Sequence, residues 1–250
     1  MRTLKAVFQY IREVLLLNYP TDPEIHRVNI HRIVLFFYIV FPLHIIHVLI
    51  FYRALVNEAA LINNLEYGWR MGIIYAHGLM AFLISLIALA AYLIKKSELE
   101  NSTIGRMVPQ VGALSYLIVG ALVCTIDQSV TESISPYLNA SMAIALVFIL
   151  RPSTSVVLYS ISYLFFFFIL PFNQPDKSLL LSVYVNGLTV AALAFGLSII
   201  LWRGNSLNFL QKRKIEDQHL KLERQTIELE KKKSLSNLPR QICLPVFITE

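Results

Sequence analysis

Three histidines fall inside apolar runs of this 250-residue chain: His44 and His47, three apart, and His77. A spacing of three places His44 and His47 on one face of a helix. Imidazole in an apolar setting suits three tasks. It coordinates a transition metal or haem iron, it changes charge near neutral pH, or it hydrogen-bonds across helices. All three readings are open for His44, His47 and His77, which form the ligand set if a metal or haem is bound. Four further polar residues, Asp127, Asn139, Tyr184 and Asn186, also lie in or at the ends of apolar runs. Ionisable groups are costly to bury there, so they mark candidate functional sites. No pairing of nucleophile with base and no pair of carboxylates at useful spacing occurs, so no catalytic residue is assigned. Cys124 and Cys243 fit neither a metal-ligand spacing nor a disulfide framework.

The elements that hold these residues are membrane spans. Apolar types make up 56% of the chain and charged types 15%, with mean hydropathy +0.60; a soluble domain carries about 25% charged residues. Six runs are long enough to be read as crossings of about 30 Å of hydrocarbon: 33–52, 71–94, 107–126, 134–150, 154–172 and 178–202. The fourth is short and also reads as a re-entrant segment. The fold expectation is all-α, a six-helix transmembrane bundle with a cytoplasmic coiled-coil stalk. Six spans put both termini on one side, and 19 of the 22 Lys and Arg then share that side. This is the cytoplasmic side by the positive-inside rule, which leaves both termini in the cytoplasm of a bacterial inner membrane. The basic balance reflects topology, and nucleic acid is not an expected partner.

Residues 1–19 alternate Leu4, Val7, Phe8, Ile11, Val14 and Leu15 with Arg2, Lys5, Gln9 and Arg12. That pattern predicts a basic amphipathic helix lying on the lipid surface and not a cleaved leader. In the six-span frame His47 and His77 lie within about two helical turns of the outer ends of their spans. Asp127, Asn139, Tyr184 and Asn186 occupy the same outer half. Several spans thus aim polar groups at one layer, the pattern of a pocket for a small ligand.

From residue 204 to 236 the composition turns charged and free of Pro after Gly204, which predicts a helix continuing from the sixth span. Ile215, Leu222 and Leu229 repeat every seven residues, while the alternate core slots hold Gln218, Gln225 and Lys232. This is a polar-interrupted heptad seam, read either as a parallel dimerising stalk or as a solvated helix. Gly187, Ala191, Ala194 and Ser198 form a small-residue stripe along the sixth span. Such stripes let helices approach closely, between copies or within one bundle. Gly187, Ala191, Ala194, Ser198, Ile215, Leu222 and Leu229 are therefore the expected transmission residues of a homodimer. Residues 237–250, with Pro239 and Pro245, form a separate tail.

The six-span layout, the Leu201-Trp202-Arg203 exit and the helix RKIEDQHLKLERQTIELEKKK resemble the membrane-sensor half of bacterial diguanylate cyclases of the GGDEF class and related signalling proteins. The resemblance covers residues 25–235. It implies a sensor whose stalk feeds a catalytic domain opening on Asp-x-Leu-Thr-Gly-Leu-x-Asn-Arg-Arg. Here that place reads SLSNLPRQICLPVFITE, with only Asn237-Leu238-Pro239-Arg240 faintly similar, so cyclase activity is not expected of this chain. The expected function is a sensor that binds a small ligand in the outer half and signals through the sixth span. The rivals are a transporter or channel, a membrane-embedded enzyme using the histidines, and an inactive remnant of a longer cyclase.

Overall fold

The computed structural model describes residues 22–58 and 62–236; the expected amphipathic segment 1–19 and the tail 237–250 lie outside the described residues. Every regular element among the described residues is helical: α1 (Asp22–Asn57), α2 (Asn64–Lys96), α3 (Thr103–Asp127), α4 (Ser135–Val147), α5 (Pro152–Ile169), a single 3-10 turn (Leu170–Phe172) and α6 (Lys177–Ser236). Five of the helices are long and apolar enough to cross a membrane, and α4 is not. In each of the five, no more than 44% of the most apolar window is buried against other helices. The outward Leu, Ile, Phe and Val side chains that remain need a surrounding that is not water, which is what a bilayer supplies.

Local chemistry sets the boundaries. Asn63 caps α2, its side-chain oxygen accepting from the Glu66 N–H at 2.9 Å, and Glu66 is an acidic residue in the first turn. Lys95 and Lys96 close the same helix at its negative end. Ser102 caps α3 through the Gly105 N–H at 3.1 Å. Asp176 opens α6, its carboxylate accepting from the N–H groups of Ser178 at 2.8 Å and Leu179 at 3.3 Å. Pro136 and Pro152 sit in the first turns of α4 and α5, where a missing N–H costs nothing.

Residues 22–206 form one compact unit. Its consecutive helices run in opposite directions, as paired contacts show. His44 meets His77 while Phe51 meets Trp69; Gly72 faces Ile126 while Gly112 faces Ile87; Tyr137 meets Phe166 while Ser141 accepts from Tyr159; Phe166 faces Gly187 while Ser155 meets Ser198. The main core is built from α1 to α5 with Ala194 of α6, around Ile33, Met80, Ala91, Leu117 and Ile144. A second cluster joins α3, α4, α5 and α6 through Cys124, Tyr137, Phe166 and Val190.

The fourth apolar run departs from the expected helix over 134–150. Its helix has 13 residues, about 20 Å, and stops at Val147. The chain then runs extended to Arg151, with Phe148, Ile149 and Leu150 buried. Buried backbone outside a helix needs partners, and α1 provides them. Asn29 donates through Nδ2 to the Ile149 carbonyl and accepts its N–H, both at 2.9 Å, and Arg32 donates to the Val147 carbonyl at 2.8 Å.

The second unit holds residues 207–236, the continuation of α6. Ile215, Leu222 and Leu229 are all exposed along it, as are Leu220 and Ile227.

Candidate functional site

Three helices carry matching stripes. Val40, His44, His47 and Phe51 recur on α1, Trp69, Ile73, His77 and Met80 on α2, and Tyr116, Gly120, Val123 and Asp127 on α3. Each set follows steps of three or four residues and so shares one helix face. The stripes converge with Thr131 and with Ser135, Pro136, Asn139 and Ala140, at and beside the start of α4, on a cavity of about 540 Å³. This is within the range of small-molecule pockets, about 300–1,000 Å³.

The histidines make one stack in its wall. The Nδ1 atoms of His44 and His77 are 2.6 Å apart and share a hydrogen bond. His47 lies flat on His77, with ring centres 4.4 Å apart and planes 13° from parallel. The His47 Nδ1 is used within its own helix, bonded to the Leu43 carbonyl at 2.7 Å. Tyr116 stands edge-on to His44 with ring centres 6.0 Å apart. A direct bond between two Nδ1 atoms needs a proton on one of them and a lone pair on the other. Two doubly protonated rings do not fit this contact.

The same geometry bears on the metal reading. Two imidazole nitrogens on one tetrahedral zinc, each about 2.0–2.1 Å from it, lie about 3.3 Å apart. The His44–His77 contact is too short to hold an ion between its nitrogens. Among the described residues no group of three or more His, Cys, Asp or Glu is arranged to hold one. His44, His47 and His77 therefore meet, as a stacked and hydrogen-bonded trio.

At the end of the cavity near the α1–α2 turn, Trp69 donates through Nε1 to Asp127 at 3.0 Å. Beside it Arg70 grips Glu58 at the end of α1 and Glu66 on its own helix, at 2.6 and 2.7 Å. These bonds join the end of α1 to the start of α2 next to the cavity. Asp127 is the one formally charged residue among those lining it.

Of the seven residues singled out in the sequence for ligand binding, His44, His47, His77, Asp127 and Asn139 line this cavity, while Tyr184 and Asn186 do not. Tyr184 joins α6 to α5: its hydroxyl donates to the Phe167 carbonyl at 3.0 Å, and its own carbonyl accepts from Tyr163 at 3.2 Å. Asn186 is exposed on α6. Trp69 and Tyr116 are lining residues that sequence reasoning missed. Trp69 sits eight residues before His77, a spacing that places it on the same face of α2. Tyr116 sits eleven residues before Asp127, three helical turns on one stripe.

The transmission stripe of α6 is occupied inside the chain. Ala194 and Ser198 are buried, with Ser198 bonded to Ser155 at 2.8 Å. Gly187 lies under the Phe166 ring, where a Cβ would sit 2.6 Å from Cε1. Tyr137, between the cavity residues Pro136 and Asn139, stacks on the other side of this link, its ring centre 4.9 Å from that of Phe166. A continuous packed route runs from the cavity wall through Tyr137 and Phe166 to Gly187. Comparison with family models, curated proteins and solved structures gave no match.

Proposed function

We propose that the chain is a membrane receptor module that binds a small organic molecule in the α1–α4 cavity and passes its occupancy to α6. The carrying observation is the cavity itself, an apolar chamber whose polar groups are limited in number and already oriented. Its lining suits a guest with an apolar body and a single hydrogen-bonding head. With Asp127 its one charged residue, a neutral or cationic guest is favoured over an anion. The Tyr137–Phe166–Gly187 packing supports the route of transmission, since α6 itself does not line the cavity.

The topology in this reading keeps six crossings with both termini in the cytoplasm, supported by the charge split of the sequence. The fourth crossing combines α4 with its extended tail. The helix starts level with the cavity and the tail ends beside Asn29, while α1 spans the same interval in about twenty residues, about 30 Å. The exposed Ile215, Leu222 and Leu229 seam suits a homodimer formed along the distal part of α6. A sensor half of the kind found in GGDEF-class cyclases remains the architecture that this reading draws on. A thermal-shift screen of neutral and cationic amphiphiles in lipid nanodiscs tests it. The expected result is saturable stabilisation that Val123→Phe, which pushes a ring into the cavity beside the ligand, weakens or removes. A panel that stabilises wild type and variant alike counts against the reading.

One observation favours transport as a second reading: the broken fourth crossing, since discontinuous helices form the sites of many transporters. Pro42 and Pro109, the prolines that could interrupt spans, lie inside continuous helices. Flux of a cavity ligand into liposomes would favour that alternative.

A further inference from the structure

The carboxylate of Asp127 is only half satisfied. It stands at the end of α3, partly buried on the wall of the large cavity, and its Oδ1 accepts from Trp69 Nε1 at 3.0 Å. Its Oδ2 has no hydrogen-bond partner among the described residues, yet it is not sealed off in the protein interior. Arg70, the residue after Trp69, does not serve it, because its guanidinium is engaged by Glu58 and Glu66. A charge removed from water without full pairing is costly, so a positive group that reaches Oδ2 supplies what the fold leaves out.

Two features of the wall match such a group. The first is its charge. No Lys or Arg lines the cavity, and in the contacts at this end the carboxylates of Asp127, Glu58 and Glu66 meet one guanidinium, that of Arg70. A cleft of one sign with apolar walls concentrates ions of the other. The first turn of α4 presents a positive pole to the same space, but a pole of about half a charge does not offset a full carboxylate. The second feature is aromatic. Phe51 and Trp69, both lining residues, meet edge-on with ring centres 5.4 Å apart and planes at 83°, and Trp69 is the ring bonded to Asp127. Ring faces attract cations, indole most of all.

From this geometry we infer that the guest of the cavity is an organic cation, an alkylammonium whose head sits against Asp127 and the Phe51–Trp69 corner. Asp127 is its counter-ion, and Trp69 orients the carboxylate. The inference rests on the cavity reading proposed above and adds the charge of the ligand. A bare metal ion is not what the corner fits, since no group of three or more His, Cys, Asp or Glu among the described residues is arranged to hold one. The cavity, at about 540 Å³, instead continues along Ile73, Met80, Val119 and Val123, a surface for a hydrocarbon body. A zwitterionic lipid headgroup shares the ammonium but brings a phosphate, which the carboxylates at this end repel.

The test is isothermal titration calorimetry on the full chain in lipid nanodiscs, with empty nanodiscs subtracted. It compares hexylammonium with 1-hexanol, which has the same chain and a neutral head. Hexylammonium is expected to bind about tenfold more tightly or better, the scale of one charge-assisted hydrogen bond. In Asp127→Asn, whose amide oxygen can still accept from Trp69, the ratio of the two affinities is expected to fall toward equality. Should that variant fail to insert, Trp69→Phe, which frees the carboxylate from its indole, is expected to lower the same ratio. Equal affinities in wild type, or a ratio that Asp127→Asn leaves in place, overturn the inference while the cavity reading stands. Tighter binding of hexylphosphocholine than of hexylammonium overturns it in favour of a lipid headgroup. Failure of every probe to bind saturably counts against the cavity itself and removes the inference with it.

Discussion

His44 and His77, on adjacent helices, share one hydrogen bond between their Nδ1 atoms at 2.6 Å. Among the described residues neither ring makes another hydrogen bond, so each depends on the other inside a largely apolar wall. Replacing one ring by Ala leaves a half-buried nitrogen without its partner, at a cost of about 1–3 kcal/mol. The double replacement is expected to cost less than the two singles together, with a coupling of about 0.6–1.7 kcal/mol. Reversible unfolding in mixed micelles measures the cycle, and strict additivity would show that the bond contributes nothing. His47→Ala is expected to be milder, since His47 is exposed and bonds within its own helix.

Asn29 is 3% exposed and partners both the N–H and the carbonyl of Ile149. Asn29→Leu keeps the approximate volume and removes both partners, stranding a buried donor and acceptor. The expected loss is about 2–4 kcal/mol. The same unfolding assay measures it, and a change within about 0.5 kcal/mol, the usual range of surface substitutions, would mean that the extended tail of α4 is held by something else.

Gly187 permits the close approach of α5 and α6. In Gly187→Ala the new Cβ falls 2.6 Å from the Phe166 ring, so the helices must part or the ring must turn. Overpacking of this kind costs about 1–3 kcal/mol. Phe166→Leu in the same chain is expected to recover part of the loss, because it removes the obstructing ring edge. If the two substitutions only add, the contact is not what limits the approach.

Asp176 stands before α6 in the turn from α5, and its carboxylate is held below the usual range by the Ser178 hydroxyl at 2.7 Å and by the backbone N–H groups of Ser178 and Leu179. A carboxyl whose folded value is depressed gives its full stabilisation above its unfolded value, about 3.9. That stabilisation is lost as pH falls through the folded value. Wild type is therefore expected to lose stability on acidification below about pH 4 more steeply than Asp176→Asn. Parallel pH profiles of the two would count against the cap.

Much of this arrangement was legible before the structure. Apolar length and charge placed five of the helices, because a membrane span is marked by composition alone. The polar layer was visible in His44, His47, His77, Asp127 and Asn139, since ionisable residues stand out in an apolar run. The break after Val147 was not visible. Phe148, Ile149 and Leu150 are as apolar as the helix before them, and what ends the helix is a partner 120 residues away, Asn29. Tyr184 and Asn186 do not line the cavity, because position along a span says nothing about which face of α6 meets which neighbour. The Gly187–Ser198 stripe read equally as a dimer seam or an internal contact, and only the packing of Phe166 and Ser155 shows it turned inward.

The central claim is that the α1–α4 cavity takes up a small molecule, and Trp69 can report it directly. The chain has two tryptophans, and Trp69 lines the cavity while Trp202 does not. In a Trp202→Phe background, titration with the stabilising amphiphile from the screen is expected to shift Trp69 emission saturably, and Val123→Phe is expected to weaken or abolish the shift. Should Trp202→Phe fail to insert, the difference between wild type and Trp69→Phe gives the same signal. A shift that never saturates, or one that survives Val123→Phe unchanged, would mean that the molecule partitions into lipid and that the cavity is not its site.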